Sequence, residues 1–496
     1  MFWCLASLCR AKWAKSLLVW SIFLFPMAAL CADAVLDWNA LLLDDIRADD
    51  SSPTLSTRTL AIMHTSMYDA VNSVLRTHQP YKFQLNAPAD TSAEAAAVGA
   101  AYEVTKTFYP ALAGWADTLY QTWLASVPPD DTVSNGLTLG QTIAQLMLQD
   151  RAYDGSSTDI PYIPSADPGQ WRRTPPYFRP PLAPQWRYVT PFCLRDLEPF
   201  VPPPPPALES PEYAASFNEV QDIGKTNSTS RTAEQRQIAV FWSDFSYTAM
   251  PPGHWHEITS KIAAERGLTL ADNARLFALI SLAQADAAIT CWETKYRYNL
   301  WRPVTAIVNG NLISNPLTQA DSSWGSLLAA PSFPSYTSGH STFSKASAQV
   351  LTHFFGTDAV NFTATSDSLP GVTRSFSSFA ACADEVGMSR IYGGIHFAFD
   401  NVQGKECGRK IGDYVSANFL LPNAVLPLVA VDSFSNNIPL LRLHGRIDSS
   451  IILQVSSDLK AWQTISTNAA APGGVLVSDT QAHQGSSRFY RATQSQ

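Results

Sequence analysis

Residues Ala271–Trp301 constrain the fold more than any other part of the chain. They form one long run of apolar residues at helical period, opened by the capping-like pair Asp272-Asn273. Shorter stretches with the same periodicity stand before it at Leu60–Val74, Glu94–Phe108 and Leu137–Leu148, then at Pro211–Ile223 and Thr232–Trp242. Two more follow, near His340–Phe355 and Arg374–Phe419. The expectation is a mainly α protein. Residues 158–210 interrupt the pattern with Pro, aromatic and Arg residues, including the unbroken run Pro202–Pro206, and are expected to wrap the surface in extended form. After about residue 425 the periodicity shortens. Ile451–Val455, Trp462–Ile465, Val475–Val477 and Phe489–Arg491 read as short strands of a small all-β domain.

The resulting division is a signal peptide at 1–32, a helical domain at 33–424 and a β domain at 425–496. Arg10, Lys12 and Lys15 precede an apolar core at Ser16–Leu30 and small residues around Ala28, Ala29 and Ala32, the pattern of an export signal. A core of about 15 residues is short for a bilayer, which takes roughly 20, and no later stretch reads as a span. The expected address is therefore periplasmic or extracellular. With 46% hydrophobic and 15% charged residues the chain is neither disordered nor fibrous, and a formal charge of -8 argues against nucleic acid as a partner. Beyond the signal the chain keeps Cys193, Cys291, Cys382 and Cys407, with no zinc spacing among them; a Cys382–Cys407 bridge and buried free thiols both stay open.

Three segments carry chemistry. In Lys295-x6-Arg302-Pro303 a separation of seven is close to two helical turns, which puts both cations, and Trp292 before them, on one helix face. Phe333-Pro334-Ser335-Tyr336-Thr337-Ser338-Gly339-His340 stands immediately ahead of a helical run. There Gly339 lets backbone N–H groups approach a ligand, the helix start adds positive charge and Ser338 offers a hydroxyl, a combination suited to a phosphate-like anion. In Ser389-Arg390-x5-His396-x3-Asp400 the last two residues are one turn apart if helical, so the carboxylate can fix the ring's tautomer. Each segment alone is ordinary: a solvated Lys/Arg face, a common tripeptide, a helix-internal ion pair. His254 and His256, flanking Trp255, invite a metal reading, but alternate histidines at a helix start point to different faces, and a structural role is preferred, with one of them lining a cleft. His64 reads as a core or interface residue.

Taken together, the order and spacings resemble the signature shared by vanadium-dependent haloperoxidases and type-2 phosphatidic acid phosphatases, with one proline of its second part replaced by Thr337. The resemblance covers at least residues 270–410 and implies a helical bundle of that superfamily's type. It implies that Lys295, Arg302, Ser338, the Gly339 N–H and Arg390 hold the oxygens of vanadate or phosphate. His396 would be the axial ligand to vanadium, or the nucleophile of a phosphatase, oriented by Asp400; His340 would be the general acid/base, its pKa controlling the activity profile. Phe241-Trp242-Ser243-Asp244 and the helix leading into Trp292 resemble the chloroperoxidase branch, with Asp244 expected to pair with Arg390 or His340, and with Trp292 and Phe333 on the halide side. The implied activity is a vanadate-dependent haloperoxidase that turns halide and hydrogen peroxide into hypohalous acid for a small-molecule acceptor. The alternative is an exported acid phosphatase working through a phosphohistidine at His396. Ser457-Asp458-Leu459-Lys460-Ala461-Trp462 and the terminal Arg488–Ala492 resemble β-sandwich modules appended to exported bacterial proteins. Family members commonly self-associate, which leaves a homo-oligomer open.

Overall fold

The computed structural model describes residues 33–423 continuously, then 428–435, 438–444, 450–469, 475–482 and 488–495. The expected signal at 1–32 lies outside the described residues. Thirteen α-helices are described: α1 (Ala34–Ala48), α2 (Pro53–Leu75), α3 (Ala93–Phe108), α4 (Ala113–Ser126), α5 (Asp131–Asp150), α6 (Pro211–Ile223), α7 (Ala233–Phe241), α8 (Met250–Arg266), α9 (Leu270–Tyr298), α10 (Pro303–Val308), α11 (Gly339–Phe355), α12 (Phe379–Tyr392) and α13 (Ala398–Asn418).

The long helix α9 is the axis of the bundle and packs against α2, α11 and α13, with α1 and α8 beside it. Contrary to the sequence reading, it is long and apolar enough to cross a membrane, with a mean hydropathy of 1.3 over its most apolar window. Yet 94% of that window is buried by the surrounding helices, so its apolar surface is spent on the core. Its cap is Thr269, whose hydroxyl accepts from the Asp272 N–H, rather than the Asp272-Asn273 pair itself. Asn299, in the left-handed conformation, ends it.

Several expectations are corrected here. The stretch Arg374–Phe419 is two helices, because the chain turns at Gly393 and at Gly394 (φ +78), where a Cβ would stand 2.3 Å from the Gly224 carbonyl oxygen. Its first residues belong to a hairpin, β1 (Phe362–Thr365) with β2 (Thr373–Phe376). Helices α1, α4, α8 and α10 are additional to the sequence reading, and α4 and α8 escape the periodicity for opposite reasons. Helix α4 buries only Ala116 and Trp123, too few to draw a stripe. Helix α8 buries Pro251, His254, Trp255, His256 and Ile258, so no polar face contrasts with an apolar one. All four cysteines beyond the signal are free and buried.

Helix α13 approaches α11 along a line of glycines one turn apart, Gly404, Gly408 and Gly412. A Cβ on Gly408 would lie 2.2 Å from the Thr342 carbonyl oxygen, closer than any side chain can stand, so the two backbones touch directly.

The irregular segments are pinned by buried carboxylates. Asp286 on α9 accepts from three successive backbone N–H groups, Phe192 at 2.6 Å and Cys193 and Leu194 at 2.8 Å, fastening the proline-rich segment to the core helix. Asp69 on α2 holds Tyr81, Lys82 and Phe83 in the same way.

The β domain contains β3 (Leu428–Ser435), β4 (Ile438–His444), β5 (Ser450–Ser456), β6 (Gln463–Ala469), β7 (Val475–Ser478) and β8 (Phe489–Ser495). They form two antiparallel three-stranded sheets, in the orders β3-β4-β7 and β6-β5-β8, around Leu441, Leu443, Ile451 and Leu453. The four runs read from sequence coincide with β5 to β8, except that Trp462 stands one residue ahead of β6; β3 and β4 are additional.

Replacing Asp286 with Ala orphans three buried N–H groups at about 1–3 kcal/mol each. The expected outcome is a loss of several kcal/mol in denaturant unfolding and new protease cleavage between residues 151 and 210. Unchanged stability and cleavage would contradict the fastening role.

Candidate functional site

The three motif segments meet at the starts of α11 and α13, which are tied together by a hydrogen bond from the Ser338 N–H to the Asp400 carbonyl at 3.0 Å. His396 sits just ahead of α13 rather than inside it. Its contact with Asp400 is made because the Asp400 carboxylate reaches back over the helix start, accepting from the Phe397 N–H at 3.1 Å and facing His396 Nδ1 at 2.8 Å. Ser335 donates to the same Asp400 oxygen at 2.5 Å. Arg302 Nη1 lies 3.0 Å from His396 Nε2. A guanidinium can only donate, so Nε2 must be the accepting nitrogen and the proton must sit on Nδ1, facing Asp400. Burial, then the charges of Arg302, Lys295 and Arg390, hold the His396 pKa well below that of an ordinary imidazole. The ring is therefore neutral, with a lone pair aimed into a cationic site.

The cations do not share one helix face, as the spacing suggested. Helix α9 ends at Tyr298, and Arg302 is the cap residue of α10 after a turn. They are brought together instead by Phe333: Lys295 Nζ lies 4.9 Å from its ring centroid and the Arg302 guanidinium 4.8 Å. Lys295 is fully buried and donates to the carbonyls of Pro334, Ser335 and Thr337. Its three protons are thus used by the loop ahead of Ser338, and it acts on the site as a buried charge behind that loop. Burial lowers its pKa, with Asp400 pulling the other way. Arg302 gives Nε to the Phe333 carbonyl at 2.8 Å, and Arg390 gives Nη1 to the Trp242 carbonyl at 2.7 Å. Arg302 Nη2, Arg390 Nε and Arg390 Nη2 are buried and have no partner.

Ser338 caps α11, accepting from the Ser341 N–H at 3.3 Å and from the Ser341 hydroxyl at 2.8 Å, which leaves its own proton free to donate. Gly339 is the first residue of α11, where N–H groups lack helical partners. Ser389 turns away and donates to the Val386 carbonyl. The His340 side chain is 13% exposed, but its Nε2 is buried and has no hydrogen-bond partner. Burial first, then Arg390 and His254, hold its pKa well below the ordinary imidazole value. The Asp244 carboxylate lies 3.7 Å from His340 Nε2, beyond hydrogen-bond distance, and 3.1 Å from His254 Nδ1, a partner the sequence did not suggest. His256 and His64 lie in the core, both bonded to Asn39 Oδ1, in keeping with a structural role for each, and neither His254 nor His256 is among the residues lining the cavity of the site.

These groups face a cavity of about 580 Å³ whose walls include Arg390, His340, His396, Gly339, Trp292 and Phe333. The Trp292 and Phe333 rings pack 5.0 Å apart. Lys295, Arg302 and Ser338 stand one layer behind these walls. Sequence reasoning missed the outer wall, in which Tyr177, Arg179 and Pro180 of the proline-rich segment, and Phe245 and Met250, take part. No hydrophobic period marks such loops. Among the described residues no cluster of three or more His, Cys, Asp and Glu is present to hold a bare cation. What the site gathers is guanidinium donors, a hydroxyl and a helix start around one imidazole, the donor set of an oxyanion.

Comparison with known proteins agrees. Residues 275–420, spanning Lys295 to Asp400, match the family model of the VCPO second helical-bundle domain. The vanadium chloroperoxidase of Curvularia inaequalis is 24% identical over 316 residues, 52% of this chain and 50% of that protein, so the chain spans about half the length of this curated relative. A solved bacterial vanadium-dependent iodoperoxidase is 30% identical with a TM-score of 0.68, covering 79% of this chain and 96% of its own. A holo-type bacterial vanadium-dependent chloroperoxidase shares the fold, with a TM-score of 0.60 at 19% identity over 74% of this chain and 92% of its own. With a 30% identical relative covered almost from end to end and a family model laid over its oxyanion site, this chain belongs to the vanadium-dependent haloperoxidase superfamily.

Proposed function

We propose that the chain is an exported, vanadate-dependent haloperoxidase that oxidises a halide with hydrogen peroxide to hypohalous acid. The observation that carries the reading is the neutral His396, its Nε2 accepting from Arg302 Nη1, together with three buried guanidinium nitrogens, Arg302 Nη2 and Arg390 Nε and Nη2, that have no protein partner. Vanadate fits this donor set: His396 would ligate it, and Arg302, Arg390, Ser338 and the Gly339 N–H would hold its oxygens, with Lys295 adding charge from behind. When bound, it would supply a Lewis-acidic centre that activates peroxide toward halide. The protein's own part is electrostatic and protonic. Buried cations in a site shielded from water stabilise negative charge more strongly than the same cations would in solvent. Asp400 keeps the His396 proton on Nδ1. His340 takes a proton from incoming peroxide and returns it to the departing oxygen. Trp292 and Phe333 present an apolar wall that strips water from the halide. The basic and then apolar N-terminus, Arg10 to Leu30, supports export to the periplasm or beyond.

The reading is tested with purified chain freed of phosphate and divided into vanadate-loaded and vanadate-free portions. Expected is vanadate-dependent, peroxide-dependent oxidation of iodide, bromide or chloride, abolished in His396→Ala together with vanadate binding. Hydrolysis of a phosphate ester, inhibited by vanadate and with no turnover of any halide, would assign the acid phosphatase chemistry instead.

Two further outcomes follow from the site. Asp400→Asn removes the acceptor that fixes the His396 tautomer, and vanadate affinity should fall about 10- to 100-fold, read by calorimetry. His340 works as a base only when neutral, which is the form present above its pKa. A lowered pKa therefore carries activity to lower pH, and kcat/KM should stay level through neutrality and decline only below about 6.5. His340→Ala should slow turnover about 10²- to 10⁴-fold with vanadate still bound. A profile that declines from neutrality downward in the wild type and the Ala variant alike would remove His340 from this role.

A further inference from the structure

The cavity is larger than the chemistry at its floor requires. A water molecule occupies about 30 Å³, and an oxyanion with a halide fills a few such volumes. The cavity measures about 580 Å³, within the range of roughly 300–1,000 Å³ typical of sites for organic ligands. Its composition also changes along its walls. Arg390, His340 and His396 are polar, whereas Pro180, Pro181, Leu182, Ala330, Pro331 and Phe343 are apolar. Two further side chains of the proline-rich segment, one aromatic and one cationic, stand beside this apolar part. Tyr177 is 66% exposed, although a large aromatic ring gains from burial. The Arg179 guanidinium lies 5.0 Å from the Tyr177 ring centroid, and among the described residues no carboxylate pairs with it. Asp50 also lines the cavity, but it accepts from the Tyr247 N–H at 2.9 Å.

We infer that this outer part of the cavity binds the organic acceptor, and that the acceptor is an electron-rich aromatic ring carrying a carboxylate. The ring would lie against Tyr177 and the proline wall, and the carboxylate would meet Arg179. The inference rests on the haloperoxidase reading for the supply of hypohalous acid. The step balances as Ar–H + HOX → Ar–X + H2O: the ring's π electrons form the C–X bond as O–X breaks, and the ring proton leaves with hydroxide as water. An acceptor held beside the floor of the cavity intercepts hypohalous acid before it escapes. Arg179 and Tyr177 thereby become determinants of acceptor choice.

The test uses full-length, vanadate-loaded protein with 4-hydroxybenzoate and 4-hydroxybenzamide, which differ in the carboxylate alone. The readout is the ratio of kcat/KM for the two acceptors, each normalised to iodide oxidation without acceptor. Arg179→Gln should lower the ratio about tenfold and Arg179→Glu further, and Tyr177→Ala should raise KM for both acceptors. Binding of 4-hydroxybenzoate without peroxide, followed by ligand-observed NMR, should weaken in step. A ratio equal in all variants to that given by reagent hypohalous acid, with no binding, would overturn the inference. Failure of the haloperoxidase reading would show separately, as no iodide oxidation; the NMR arm then decides the subsite alone.

Discussion

Positive charge buried without enough negative charge beside it is the constraint on which this structure turns. Lys295, Arg302 and Arg390 are all fully buried, and the carboxylates within the site are Asp400 and Asp244. Removing an ion from water costs several kcal/mol or more, and the fold meets that cost in part with carbonyl dipoles. Pro334, Ser335 and Thr337 surround the ammonium, Phe333 and Ile395 receive Arg302, and Trp242 receives Arg390. The loops carrying these carbonyls are therefore shaped by the cations as much as the cations are held by the loops. The remainder is left as buried N–H groups with no partner in the protein. A protein that stops short of satisfying its own donors is prepared for an anion.

The same economy runs through the scaffold. Irregular backbone cannot satisfy itself, and here buried aspartates take three consecutive N–H groups at a time, Asp286 for the proline-rich segment and Asp69 for the turn after α2. The first of these matters most for function, because it fixes the segment that supplies Tyr177 and Arg179 to the cavity mouth. A stretch that reads in sequence as surface wrapping is thus part of the wall.

Legibility followed the physics of each element. Helices with one apolar face, such as α3, α5 and α6, declared themselves by periodicity; α8, whose first two turns are buried on every side, and α4, exposed on most, did not. The site residues were legible because their spacing is fixed by two helix starts and the end of α9, and every one of the three segments reaches the site. Their geometry was less so. Spacing alone could not reveal that α9 ends before Arg302, or that His396 precedes its helix, since both depend on single residues taking the left-handed or extended conformation. Nor could it reveal the pairing of Asp244 with His254, or the hydroxyl of Ser335 on Asp400, which arise only when distant loops meet. The small β domain gave up its later strands, whose alternation is clear.

The glycine line on α13 has a consequence for how the site recognises what it holds. With backbone lying directly on backbone between α11 and α13, and the two helix starts bonded to each other, Ser338 and His396 are set on one rigid block. Such a block cannot close around a smaller guest or open for a larger one. Tetrahedral oxyanions of similar size and charge will all enter. On the role proposed for His396, what would separate them is covalent capacity, the readiness of the central atom to bond a fixed imidazole. Selectivity on this scaffold would then be decided by the electronic structure of the guest and not by motion of the host.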